Sequence, residues 1–218
     1  MLKAVIMDFD GVIIDTEGIW YQIFVDWFKE NVNYDLSIDE FLVSVGSDSE
    51  DLFTALERNH HIQIDREKFV NDTKRIFIEK SDSLPPLEGV VHFIRSVKEE
   101  GLQLALATSS TKRKPMKHLK RLQLIDYFDS IVTAEDVERI KPFPDLFLKA
   151  IDRLGVEKDE ALVVEDSLNG LMAANRSAIK TLLVPNDVTK HSDFNHYYKK
   201  VETLSEVHIP ELMSDFNA

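Results

Sequence analysis

The chain has 218 residues, 44% of them apolar, which suffices for one or two modest domains around a buried core and excludes a disordered tail. It has no cysteine, so neither a disulfide framework nor a thiolate metal site is available. Its 39 acidic and 26 basic residues leave a net charge of −13, which disfavours nucleic-acid backbones and anionic membrane surfaces as partners.

In chain order, Ala4 to Phe9 reads as a first short apolar strand. The apolar run before Asp8 is too short for a signal-peptide core or a membrane span, no later run is long enough either, and the expected compartment is the cytoplasm. The first proline is Pro85, and no glycine lies between Gly46 and Gly89, so the stretch before Pro85 reads as helical. Within it Trp20, Phe24, Trp27 and Phe28 recur at helical spacing, as do Leu52, Phe53 and Leu56, then Phe69, Ile76 and Phe77; such stripes are core-forming.

After Pro85-Pro86, short β-rich runs alternate with amphipathic helices, the pattern of an α/β fold with a parallel sheet. The runs are Leu102 to Ala107, Ser130 to Thr133, Ala161 to Glu165 and Thr181 to Val184. One helix carries Val90, Val91, Ile94 and Val97 and stops at Gly101; another carries Phe147, Leu148, Ile151 and Leu154 and stops at Gly155. Because the first strand is separated from the rest of the sheet, the expected organisation is a discontinuous α/β core of residues 1–15 and 85–218 with a helical insertion over residues 16–84.

Asp8-Phe9-Asp10-Gly11 follows the first strand, and open α/β sheets place ligands at the carboxyl ends of their strands. Strand alternation puts Asp8 and Asp10 on one side if the strand continues, whereas a turn at Gly11 aims them apart. An isolated Asp-x-Asp is an ordinary solvated loop, Glu165-Asp166 alone is an acidic pair at a helix N-terminus, and Lys141 alone is a surface lysine. What joins them is position. Thr108-Ser109-Ser110, Lys141 with Pro142, and Glu165-Asp166-Ser167 follow in order, so that the segments converge on one end of the sheet. None of the seven histidines has a metal-ligand spacing partner, and all read as structural or surface residues.

Asp8-x-Asp10-Gly11, Thr108, Lys141 and Glu165-Asp166-Ser167 together resemble the four motifs of the haloacid dehalogenase-like superfamily. Lys141-Pro142 with Pro144-Asp145, and Glu165-Asp166-Ser167 with Gly170, look like the subgroup of β-phosphoglucomutase and small sugar-phosphate phosphatases. The resemblance implies a Rossmann-like core with a helical cap and a Mg²⁺-dependent phosphatase acting on a small phosphorylated metabolite. It assigns Asp8 as nucleophile and Asp10 as general acid and base, with Thr108, Ser109 and Lys141 holding the phosphoryl group. The Mg²⁺ would take a carboxylate oxygen from Asp8 and Asp166 and the backbone carbonyl of Asp10, with Glu165 behind them or on a metal-bound water. Halide- and phosphonate-cleaving members lack or replace the second aspartate, which disfavours those activities. The alternatives are a phosphosugar mutase, whose cap histidine is matched here by Trp20 and whose cap arginine has no counterpart, and a non-catalytic binding protein. The usual Ala-Gly before the last strand is Ser177-Ala178 in this chain.

Overall fold

The computed structural model describes residues 1–217. Six strands form one parallel sheet: β1 (Ala4–Met7), β2 (Gln103–Ala107), β3 (Ser130–Val132), β4 (Ala161–Glu165), β5 (Lys180–Leu183) and β6 (Lys199–Lys200), in the spatial order β3-β2-β1-β4-β5-β6. β1 sits in the middle, with Ala4 opposite Gln103 on one side and Ala161 on the other. The strand order therefore reverses direction beside β1, which is where doubly wound sheets open a crevice.

Both faces of the sheet are covered, and the alternation of side chains divides them cleanly. Val5, Met7, Leu104, Leu106, Leu162 and Val164 face a layer containing Phe93, Ile94, Val97 and Phe216, from α5 (Val90–Glu99) and α9 (Ile209–Asn217). Ala4, Ile6, Ala105, Ala107, Ala161 and Val163 face Leu146, Phe147, Ala173 and Ala174, from α7 (Asp145–Leu154) and α8 (Leu168–Ser177). Small alanines on the second face let these two helices approach closely.

Between β1 and α5 lie α1 (Glu17–Val32), α2 (Ile38–Phe41), α3 (Glu50–His60) and α4 (Arg66–Ser81). They bury an aromatic core of Phe24, Trp27, Phe28, Phe41, Phe53 and Phe69, whose rings meet at 4.8–6.4 Å between centroids, edge-on or tilted except for the stacked Phe24–Phe53 pair. The predicted aromatic stripes are thus core, apart from two positions. Ile76 is exposed, and Trp20 stacks on Phe77 at 4.1 Å in the wall of a cleft. The remaining helix is α6 (Arg113–Arg121), which follows β2. Among the described residues, no helix is long and apolar enough to cross a membrane.

Candidate active site

β1 ends at Met7, and the next residues turn instead of extending it. Phe9 accepts from the Ile13 N–H, Gly11 donates to the Ile14 carbonyl, and Gly11 takes φ +73°. The turn needs glycine twice over, because a Cβ at Gly11 would also lie 2.2 Å from Asp166 Oδ2. Asp8 and Asp10 are consequently aimed at different partners, the second of the two geometries open to the sequence.

Asp8 is buried, and its Oδ1 lies 2.8 Å from Lys141 Nζ in an ion pair without hydrogen-bond geometry, so that oxygen has no hydrogen-bond partner. Lys141 is fully buried and reaches Glu165 Oε1 at 2.5 Å. The other oxygen of Glu165 accepts from the backbone N–H groups of Asp166 and Ser167 and from the Ser167 hydroxyl at 3.0–3.1 Å. Asp166 Oδ2 accepts from Asn186 Nδ2 at 2.8 Å. Carboxylate oxygens of Asp8, Glu165 and Asp166 come within 4.8 Å of one another.

Burial and crowding set the charges here. Burial pushes Asp8 up to about 7, with Glu165 and Asp10 adding to the shift and Lys141 opposing it. Asp166 is driven well above the usual carboxylate range by burial and by the charges of Glu165, Glu17 and Asp8. Burial pulls Lys141 down, yet the charges of Asp8 and Glu165 outweigh this and hold it above an ordinary lysine. One lysine does not balance the buried acids. Three buried carboxylates in one all-oxygen donor set, with one lysine to offset them, fit a hard divalent cation such as Mg²⁺.

Asp10 faces the other way. Its Oδ1 accepts from the Thr16 hydroxyl at 2.7 Å and meets Lys114 Nζ at 2.5 Å; its Oδ2 accepts from the Ser110 hydroxyl at 2.7 Å. Burial raises its pKa, but the Lys114 charge and these hydrogen bonds outweigh that and hold Asp10 below the usual range. Thr108 is buried at the end of β2, and its Oγ1 accepts from the Ser110 N–H at 3.1 Å. The Ser109 hydroxyl donates to the Gly46 carbonyl at 2.9 Å, so its side chain is engaged within the protein.

Asp8, Asp10, Thr108 and Ser109 line one cleft of 550 Å³, while Lys141, Glu165 and Asp166 sit directly beneath. The far wall of the cleft is built by α1 and α4 through Trp20, Phe24, Phe69, Val70 and Phe77. Glu17, at the start of α1, opens onto the same cleft, and burial pushes it up to about 8. Three contributors escaped the sequence reading: Ser110 and Lys114 at Asp10, and Asn186 at Asp166. Ser110 was within reach because it belongs to the Thr108-Ser109-Ser110 segment; Lys114 and Asn186 carry no local signal.

A buried strand-end aspartate, a buried lysine against it and an acidic pair on the neighbouring strand define the class, a phosphatase-type hydrolase on an open parallel sheet. The family model described as haloacid dehalogenase-like hydrolase matches residues 5–184, and the chain belongs to that family. It is 34% identical over 219 residues to YhcW of Bacillus subtilis, a phosphatase by inference in its name, covering 100% of this chain and 99% of the relative. It is 30% identical over 184 residues to the "Phosphorylated carbohydrates phosphatase" of Thermotoga maritima, covering 83% of this chain and 84% of that protein. The β-phosphoglucomutase structure from Clostridium difficile superposes with a TM-score of 0.82 at 22% identity, over 100% of this chain and 98% of that one, a likeness of fold.

Proposed function

We propose that the chain is a Mg²⁺-dependent phosphatase that hydrolyses a small phosphorylated metabolite through an aspartyl-phosphate on Asp8. The observation that carries this reading is the buried Asp8 carboxylate, paired to Lys141 at 2.8 Å and opening onto a cleft shared with Asp10. Residues 16–84 act as a cap over a core of residues 1–15 and 85–218, and the reaction takes place in the cytoplasm.

Asp8 and Asp166, with the backbone carbonyl of Asp10, would hold the ion. When bound, it offsets the repulsion between the Asp8 carboxylate and a phosphoryl dianion. Glu165 contributes indirectly, since both of its oxygens are engaged, one by Lys141 and the other by the loop that carries Asp166. Lys141 holds Asp8 and the phosphoryl oxygens together. Thr108 donates its hydroxyl to the phosphoryl group, and Ser109 adds its backbone N–H.

Asp8 attacks phosphorus, the ester oxygen leaves with a proton from Asp10, and Asp10 then takes a proton from the water that cleaves the acyl phosphate. The arriving dianion favours the protonated form of Asp10 that the first step needs. Thr16 and Ser110 keep its carboxyl group in place. Water is the acceptor because the arginine with which a mutase cap holds its sugar phosphate through two orientations has no counterpart in the aligned segments 15–20 and 46–50.

The test is incubation of the Mg²⁺-loaded enzyme with β-glucose 1-phosphate and a trace of the bisphosphate. Free phosphate is the expected product. Sustained glucose 6-phosphate formation in excess of phosphate release would make the enzyme a mutase, and absence of turnover on any phosphate monoester, p-nitrophenyl phosphate included, would leave a binding protein.

A further inference from the structure

Lys114 has no place in the steps above, yet it is the cation nearest the leaving-group side of the cleft. Its ammonium lies 2.5 Å from Asp10 Oδ1 and 4.6 Å above the Phe77 ring, which is itself stacked on Trp20. Cation–π contact and the ion pair fix the ammonium on the cleft wall beside the group that serves the departing oxygen. Whatever the leaving group carries next to that oxygen must meet Lys114.

The surroundings extend the same charge outward. Arg113 and Lys117 of α6 and Lys74 of α4 line the cleft, and among the described residues Arg113 and Lys74 form no ion pair. The acids on this side are Asp10, Glu17 and Asp82; Asp82 is paired to Lys117. Burial keeps Glu17 protonated near neutral pH, so it does not repel an anion there. In a chain of net charge −13 the cleft lining matches its four acids, Asp8 included, with four basic side chains, and with Lys114 and Lys117 paired to Asp10 and Asp82 it leaves Arg113 and Lys74 to attract an anion. Trp20 and Phe77, stacked on each other, add apolar surface to the lining of the same cleft.

We infer that Lys114 is a specificity-determining residue that selects phosphate esters whose leaving group bears a second anionic group, a carboxylate or phosphate, with the body between the two groups lying on the Trp20–Phe77 face. Lys114 exchanges Asp10 Oδ1 for the substrate anion, while Thr16 and Ser110 keep the Asp10 carboxyl group in place for the ester oxygen. This rests on the phosphatase reading and narrows its substrate class. The cation grip is supplied by α6 and not by an arginine of the inserted helices, where a sugar-phosphate mutase carries one.

The test compares pairs of substrates that differ by one charge and little else: phosphoglycolate against its amide, and 4-(carboxymethyl)phenyl phosphate against 4-(carbamoylmethyl)phenyl phosphate. In the Mg²⁺-loaded wild type, kcat/KM is expected to favour the carboxylate by at least about tenfold in one pair or both, the size of one charge-assisted hydrogen bond. Lys114→Met is expected to bring that ratio close to one, mainly through KM for the carboxylate, and Lys114→Arg to restore it. A wild-type ratio near one in both pairs overturns the inference with no variant needed, as does a ratio that Lys114→Met leaves intact. Turnover of the amides and of p-nitrophenyl phosphate reports separately on the parent reading: if none is hydrolysed, the phosphatase reading falls and this inference with it.

Discussion

At the scale of single residues, Asn186 shows how the fold aims a side chain. Its Oδ1 accepts from the backbone N–H groups of Val188 and Thr189, both at 3.0 Å, so its Nδ2 must face outward, where it donates to Asp166 Oδ2 at 2.8 Å. That bond leaves the other Asp166 oxygen free to hold an ion. Asn186→Ala is therefore expected to weaken Mg²⁺ binding by about 10–100-fold in calorimetric titration, as loss of an outer partner does at metal sites; unchanged affinity would remove Asn186 from the site. Glu17 gives a pH prediction. Its pKa rises from an ordinary 4.5 to about 8 in the folded chain, so the folded state binds this proton more tightly than the unfolded one. Its contribution is full below about 4.5 and is lost as pH rises through about 8. Glu17→Gln cannot ionise, and in the metal-free protein it should gain stability over wild type on the order of a few kcal/mol between about pH 5 and about pH 9. Urea midpoints across that range measure it; a gain that shrinks with rising pH would contradict the assignment. Asn186 was not legible in the sequence, because its role depends on Asp166, which the fold brings to it, and the Glu17 shift was not, because it comes first from burial. Asp8 and Glu165-Asp166 were legible because their residue types fall at strand ends, and Lys141 through its place in the order of motifs, since it lies in the turn before α7 and not at the end of β3.

At the scale of elements, the strands were readable where burial is two-sided and the run is apolar. β1, β2, β3, β4 and β5 fall within a residue or two of the expected segments. β6 is Lys199–Lys200, an exposed two-residue edge with no apolar signal, and only its pairing with Leu182 and Leu183 defines it. The Ser177-Ala178 departure has a structural consequence. Ala178 caps the C-terminus of α8 at φ 58° and ψ 40°, a left-handed conformation in which a Cβ is strained. Ala178→Gly is expected to stabilise the protein by about 1 kcal/mol, relief of that strain exceeding the entropy cost of glycine. Chemical denaturation would show this as a higher midpoint with an unchanged slope. A lower midpoint would mean that the methyl group's packing outweighs the backbone term.

At the scale of the whole molecule, the sheet and the helices between β1 and α5 divide the chemistry. The sheet holds the buried carboxylates Asp8, Glu165 and Asp166 at its strand ends, where Lys141 pairs with the first two. α1 and α4 bring an aromatic wall over that end, and segment 43–47 ties it down: Asn169 Nδ2 donates to the carbonyls of Val43 and Val45 at 3.1 and 2.8 Å, and Ser109 to that of Gly46. The sequence announced a helical insertion through its missing prolines and glycines, but the cleft it makes with α6 depends on packing between distant segments and was not readable. The central claim is that phosphate passes through Asp8. The direct measurement is rapid acid quench of Asp10→Asn enzyme, in which breakdown of the acyl phosphate is slowed, after mixing with Mg²⁺ and p-nitrophenyl phosphate, followed by borohydride reduction and peptide mass spectrometry. Conversion of Asp8 to homoserine, at that position alone and dependent on substrate, is the predicted result; nitrophenol released in the first turnover with Asp8 unmodified, or with the phosphate on another residue, would contradict it.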